Sequence, residues 1–329
     1  MPLDRFSAQA ADYARYRIDY PAELYDWLLP QVAARERAWD CATGNGQVAA
    51  VLAENFVRVD ATDLSASQLA QAALRSNISY QTARAEHTPF PAQRFDLITV
   101  AQAVHWFDPE AYHTEVRRVA RPGAVLAEWG YGLVEISPEI DPLIRHFYRD
   151  TMRPHWDVNR WHIDDEYARI PFPFAGVRRA HFTVRRHWSA EWFLQYLRTW
   201  SSVAKYQSER GEDAVHLIAN ALTQWWGTGE REVSFPVFVR AGRVWCVLFA
   251  ACILRHFPVS AFWSWPPCWP VRRWASFLPS WGPKFLKWRA RPAMSPAPGK
   301  PPPKPVLLQH LPILPYQRIL RLPIGVKSR

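Results

Sequence analysis

Trp39-Asp40-Cys41-Ala42-Thr43-Gly44-Asn45-Gly46-Gln47-Val48-Ala49-Ala50, followed by a helix-compatible run and then by Phe56-Val57-Arg58-Val59-Asp60-Ala61-Thr62-Asp63, is the stretch on which the fold turns. A short strand carrying Asp40 runs into a turn at Gly44 and Gly46, a helix follows, and a second strand ends on Asp63. That order is the opening unit of a parallel α/β sheet. The rest of the chain completes the sheet, covers its edge or lies outside it.

The chemistry of these positions follows from the residue types. Glycines allow backbone N–H groups to approach a ligand and the chain to turn tightly into a helix. An acid at the end of the second strand can accept both hydroxyls of a ribose, and Asp63 stands close to the roughly 20-residue offset expected after the glycines. Gly44 to Ala49 also satisfies the G-x-G-x-x-A form of a dinucleotide fingerprint, so the turn alone does not choose the ligand. Asp40 helps to choose. Four residues before Gly44, its carboxylate is expected beside whatever the turn holds, where a pyrophosphate would be repelled at low effective dielectric. A ligand carrying an ammonium and a sulfonium suits two acids, which favours S-adenosylmethionine over NAD.

Further pieces recur in order: Tyr13 to Pro21 (YARYRIDYP), Asp40 to Gln47 (DCATGNGQ), Asp63 to Leu69 (DLSASQL), Ala85 to Phe90 (AEHTPF), Phe95 to Phe107 (FDLITVAQAVHWF) and Arg121-Pro122-Gly123. Through them residues 1–243 resemble a class I S-adenosylmethionine-dependent methyltransferase, close to the small-molecule type-11 group that includes trans-aconitate methyltransferases. The resemblance implies a Rossmann-like, seven-stranded, mostly parallel sheet with its last strand antiparallel, and an α-helical specificity insertion. It also implies a lid before the first strand, from which Tyr13 and Arg17 would touch cofactor or substrate, and makes Ala85 and Glu86 neighbours of the adenine. Ala42 stands where the family usually has its first glycine, a tolerated change unless the position needs a positive φ.

Composition sets outer bounds. A chain of 329 residues with 49% hydrophobic residues is long enough for one large core. The net charge of +10 is unevenly spread: from Val244 onward there are 13 of the 40 lysines and arginines and no acid, leaving 27 basic against 30 acidic residues before it. The body is near neutral, and nothing in it calls for a nucleic-acid partner. The four cysteines form no C-x-x-C pair and have no metal-ligand spacing, so no metal is expected. The start has no apolar run behind a basic end, and a cytoplasmic location without a secretory signal is expected. Oligomeric state is not legible.

In chain order, Pro21 to Leu29 reads as a helix, Ser65 to Arg75 as a second and Ile78 to Ala83 as the third strand. Phe95 to Val100 is β-branched or aromatic, as expected of a strand buried on both faces. Ligands of open α/β sheets sit outside the carboxyl ends of strands, so Gln102, His105 and Trp106 face the place where cofactor and acceptor meet. Gln102 is expected on the cofactor, Trp106 on the substrate, and His105 as a general base if the acceptor needs one, or else as an imidazole that orients the loop. A helix from Pro109 to Ala120 stops at Arg121-Pro122-Gly123, which turns the chain into a strand Ala124 to Trp129. The segment 130–176 is rich in aromatic and charged residues, among them Trp156, Arg160, Trp161 and Tyr167; it reads either as walls for a small planar or carboxylated acceptor or as a helical subdomain core. Val177 to Trp188, helices Ala190 to Lys205 and Glu212 to Trp226, and a strand Arg231 to Val239 complete the domain.

The residues 244–329 hold 16 of the 29 prolines and 7 of the 18 tryptophans. This Pro/Trp-rich basic tail reads first as translation in a shifted frame, next as a disordered extension, and last as a basic aromatic module for membrane or RNA; its 11-residue apolar run is too short to span a bilayer. The function expected is methyl transfer to a small-molecule acceptor such as a carboxylic acid. A non-catalytic or inactivated S-adenosylmethionine-binding protein and an NAD-dependent oxidoreductase are the alternatives.

Overall fold

The computed structural model describes residues 15–245. The expectations placed on Tyr13 and on the tail from residue 246 fall outside them. Seven strands form one sheet in the order β3-β2-β1-β4-β5-β7-β6. They are β1 (Arg37–Cys41), β2 (Arg58–Asp63), β3 (Ile78–Thr82), β4 (Phe95–Ala101), β5 (Ala120–Tyr131), β6 (Ala175–Ser189) and β7 (Glu230–Val244). The first five pair in parallel, while β7 runs antiparallel to both β5 and β6. The expected sheet, antiparallel last strand included, is therefore present. β7 continues through Val244, one residue past the expected end of the domain.

Helices cover both faces because the strands are apolar on both. In β1, Ala38 joins a core with Leu24 and Leu28 of α1 (Ala22–Leu28) and Val48 and Leu52 of α2 (Gln47–Ala53). Its neighbours Trp39 and Cys41 face the opposite core, with Tyr112, Val116 and Val119 of α4 (Pro109–Val119). Asp108 starts α4 by accepting the amide protons of Glu110 and Ala111, both at 3.0 Å. The segment between β5 and β6 contains only short helical pieces, of which α5 (Asp141–His146) and α6 (Trp161–Asp164) are the α-helical ones.

Three expectations need correction. The helix foreseen over Ser65 to Arg75 shrinks to α3 (Ala66–Leu69), capped by Ser65. Leu74 is 91% exposed, so the second half of the segment has no bulky residue to pack, and propensity alone does not hold so short a helix. Arg121-Pro122-Gly123 does not precede the fifth strand but lies inside it as an irregularity: the register against β4 shifts between Phe95 and Leu97, with Gly123 at φ +83°. The helix foreseen over Ala190 to Lys205 is two, α7 (Ala190–Arg198) and α8 (Ser201–Arg210), separated where Thr199 and Trp200 turn back onto Tyr196 and Leu197. α9 (His216–Trp226) then leads into β7. Among the described residues, no helix is long and apolar enough to cross a membrane.

Candidate active site

The turn after β1 is held mostly by its own polar groups. The N–H of Gly44 donates to Asp63 Oδ2 at 2.8 Å, the N–H of Ser65 donates to Asp63 Oδ1 at 2.8 Å, and the N–H of Gly46 donates to the Thr43 carbonyl at 3.0 Å. The amides of Gly44 and Gly46 are thus turned inward rather than toward a ligand. The glycines serve a different need: their φ angles are +58° and +80°, and a Cβ on Gly46 would lie 2.6 Å from the Tyr80 hydroxyl. A Cβ on Gly44 would meet nothing nearer than Gln68 Oε1 at 4.0 Å, so the space over that residue is open. Ala42 has φ +55°, so the condition on which its replacement of glycine would be tolerated is not met. It carries left-handed strain of about 1 kcal/mol.

Asp40 is deeper than its position in the motif implies. It is 1% exposed, with Oδ2 accepting from the Thr43 hydroxyl and Oδ1 from the Thr99 hydroxyl at 2.8 Å. Burial pushes its carboxyl up to about 6, against the hydroxyls that favour the charged form, and the charge of Asp63 adds to the rise. A cation over the turn would return it to the ionised state. Ala85 and Glu86 lie in the loop after β3, where Glu86 Oε1 accepts the Asp108 amide at 3.2 Å and Oε2 stands 3.4 Å from Arg84.

Arg17, Gln102, His105 and Trp106 meet elsewhere, around a cavity of about 50 Å³ whose other walls include Trp156, Arg160, Ile163, Tyr196 and Trp200. Gln102, expected on the cofactor, falls with this group. Its backbone takes φ +54°, its N–H donates to Trp129 O at 2.9 Å, and its side-chain amide donates to Tyr131 O at 3.2 Å. Gly130 permits this, because a Cβ there would lie 2.7 Å from Gln102 Oε1. His105 is 4% exposed and stacks on Tyr167 with ring centroids 6.0 Å apart. Burial holds its imidazole well below the usual range, and the charges of Arg160 and His162 push the same way, so it is neutral at pH 7. Arg17 donates to the Tyr131 hydroxyl and, at 2.8 Å, to the Thr199 carbonyl. It joins the segment before α1 to β5 and to the break between α7 and α8. A larger recess of about 280 Å³ shares Gly132, Leu133 and Ile163 with this cavity, but its charged rim contains internal pairs such as His181 with Glu166 at 2.8 Å.

Two residues that the sequence reading passed over hold one wall of this cavity in place. Arg240 of β7 and Glu128 of β5 face each other across the antiparallel pair and are 1% and 0% exposed. The guanidinium donates twice to Glu128 Oε2, at 2.8 and 2.6 Å, and through Nη1 to the carbonyls of Tyr167 and Ile170 at 2.8 and 2.9 Å. It thereby ties the end of the 130–176 segment to the sheet, beside a backbone that takes positive φ at both Glu166 and Tyr167. The signal was present: Glu128 interrupts the otherwise uncharged run Gly123–Tyr131, and Arg240 the otherwise uncharged run Val233–Gly242, with opposite sign.

Residues 39–127 match the family model described as "Methyltransferase domain". A solved structure of a protein assigned as a type II methyltransferase from Anaeromyxobacter dehalogenans is 38% identical, with a TM-score of 0.64; the match covers 70% of this chain and 99% of that one. The chain belongs to the class I S-adenosylmethionine-dependent methyltransferase family. A protein assigned as a methyltransferase in Dictyostelium discoideum is 29% identical to this family member over 245 residues, 72% of this chain and 93% of its own length. An uncharacterized methyltransferase of Mycobacterium tuberculosis is 38% identical over 123 residues, and there the match spans 37% of this chain and 49% of that relative.

Proposed function

We propose that the protein transfers a methyl group from S-adenosylmethionine to a small carboxylic acid. The observation that carries the acceptor class is the composition of the cavity beside Gln102 and His105: among the described residues, two arginines and three tryptophans line it and no carboxylate does. The resemblance to trans-aconitate methyltransferases points the same way. The residues around the first turn fit the cofactor, since Gly44 leaves open space and Asp40 is a buried carboxyl that a positive ligand would ionise.

In this reading Asp63, at the end of β2, accepts from the ribose hydroxyls. Gly44 gives the cofactor room, and Asp40 compensates its positive charge through Thr43. The Ala85–Glu86 loop borders the adenine. When bound, S-adenosylmethionine supplies a methyl group made electrophilic by its sulfonium charge. What remains for the chain is positioning and exclusion of water. A carboxylate is already ionised at neutral pH, so its oxygen can take the methyl group, the electron pair of the broken S–CH₃ bond staying on the sulfur, without any proton leaving. His105 then needs no role as a base, in keeping with a buried, weakly basic imidazole. It serves as a neutral wall, stacked on Tyr167 and tilted against Trp106.

The first test is calorimetric titration of S-adenosylhomocysteine into the full-length protein with NADH as control, followed by transfer of labelled methyl to a panel of small carboxylates. Micromolar binding of S-adenosylhomocysteine alone and labelled esters are expected. Binding of NADH instead would overturn the cofactor reading, and label on amines only would overturn the acceptor class.

A further inference from the structure

We infer that Arg160 selects the acceptor by charge, holding the carboxylate of the acid and releasing its methyl ester. The inference rests on the carboxylic-acid reading above. Arg160 ends the short turn Val158–Arg160, which packs against the turn Val104–Trp106 that carries His105. Its guanidinium lies 5.4 Å from the ring centroid of Tyr148 and 5.2 Å from that of Trp156. Nη1 is buried without a hydrogen bond; the carboxylate it approaches is Asp164, at 4.0 Å, whose same oxygen accepts from the Tyr148 hydroxyl. The other arginine of the cavity differs. Arg17 is committed to Tyr131 and Thr199, so it holds the walls together, whereas Arg160 keeps donors for a guest.

The placement has a chemical consequence. A guanidinium stacked on aromatic rings and shielded from water binds a carboxylate through short, charge-assisted bonds, two at once where the geometry allows. Methylation turns that carboxylate into a neutral ester and removes the charge from those bonds. The same arginine that captures the acid therefore has little hold on the product, and the site empties without a conformational trigger.

The experiment uses the full-length protein saturated with S-adenosylhomocysteine and a panel of small carboxylates, benzoate and fumarate among them, each paired with its methyl ester and its amide. Calorimetry is expected to find at least one acid bound tenfold or more tighter than its ester and amide. In Arg160→Met the two neutral forms should bind as before and the preference for the acid should vanish, while Arg160→Lys should keep part of it. Binding of S-adenosylhomocysteine within twofold of the parent shows that a variant is folded; should Arg160→Met fail that check, Arg160→Gln is carried through the same pairs. A preference for the acid that survives loss of the guanidinium overturns the inference, as does a panel in which no acid is preferred. If the parent chain does not bind S-adenosylhomocysteine at all, it is the methyltransferase reading that fails. Cofactor binding without preference for acids sinks only the role of Arg160.

Discussion

The turn at Trp39–Asp63 and the cavity beside His105 are built in opposite ways. The turn is one continuous segment whose members reach one another through local bonds, such as Gly44 to Asp63 and Thr43 to Asp40. The cavity gathers Arg17, the end of β4, the 130–176 segment and the break between α7 and α8, regions more than 180 residues apart. Local bonds make the first legible as a motif. Long-range packing makes the second depend on buried anchors, and the two should therefore break in different ways.

The largest effect is expected at the anchor of the cavity. Removing Arg240 while leaving Glu128 strands a buried carboxylate, so Arg240→Met should cost about 3 to 5 kcal/mol of stability in denaturant unfolding. The double variant Arg240→Met with Glu128→Leu should recover most of that loss. A single variant as stable as the parent would show that the cavity does not hang on this pair.

Next comes pH. The folded-state pKa of Asp40, about 6, lies above the ordinary carboxylate value, so the ligand-free fold binds this proton more tightly than the unfolded chain does. Its contribution is present below about pH 4 and is lost as pH rises through 6, a loss of roughly 3 kcal/mol. His105 works the other way: its depressed pKa gives stability above about pH 6.5 that is lost on acidification. The contribution of Asp40 is therefore the difference between the parent and Asp40→Asn, whose stability should lack the fall between pH 4 and 7. The affinity for S-adenosylmethionine should rise over the same interval in the parent, as Asp40 ionises beneath a cation, and stay level in the variant. An affinity that does not change with pH in the parent would remove Asp40 from the account of the cofactor.

Asp63→Ala removes an acceptor of two backbone amides as well as the proposed ribose contact. It should weaken S-adenosylhomocysteine binding by roughly 1.5 to 3 kcal/mol, measured by calorimetry. Affinity unchanged within twofold would refute the ribose assignment. The smallest effect belongs to Ala42→Gly. It relieves left-handed strain but enlarges the freedom of the unfolded chain, for a net gain of up to about 1 kcal/mol in denaturant midpoint analysis. A destabilised variant would mean that the methyl group of Ala42 packs usefully.

Where the sequence reading failed, the failure has a physical cause. Ala70 to Ser76 has helical propensity but no apolar face, and Leu74 is left in solvent, so the helix ends early. The run from Ala190 to Lys205 has helical composition throughout, yet Phe193, Tyr196, Leu197 and Trp200 pack into the same core only with a break at Thr199. The sequence is silent on what turns Gln102 toward the cavity lined by Arg17 and His105, namely its positive φ and the absence of a side chain at Gly130.

The sequence by itself determined the α/β sheet, its strand directions, and the turn with its two acids. These follow from hydrophobic runs and short-range chemistry, which the chain states in order. Only the tertiary structure decided that Asp40 is buried, that Ala42 is left-handed, that Arg17 is committed while Arg160 keeps donors, and that Glu128 answers Arg240. Each of those depends on which distant residue removes water from which polar group, and burial is a property of the packed molecule rather than of any segment.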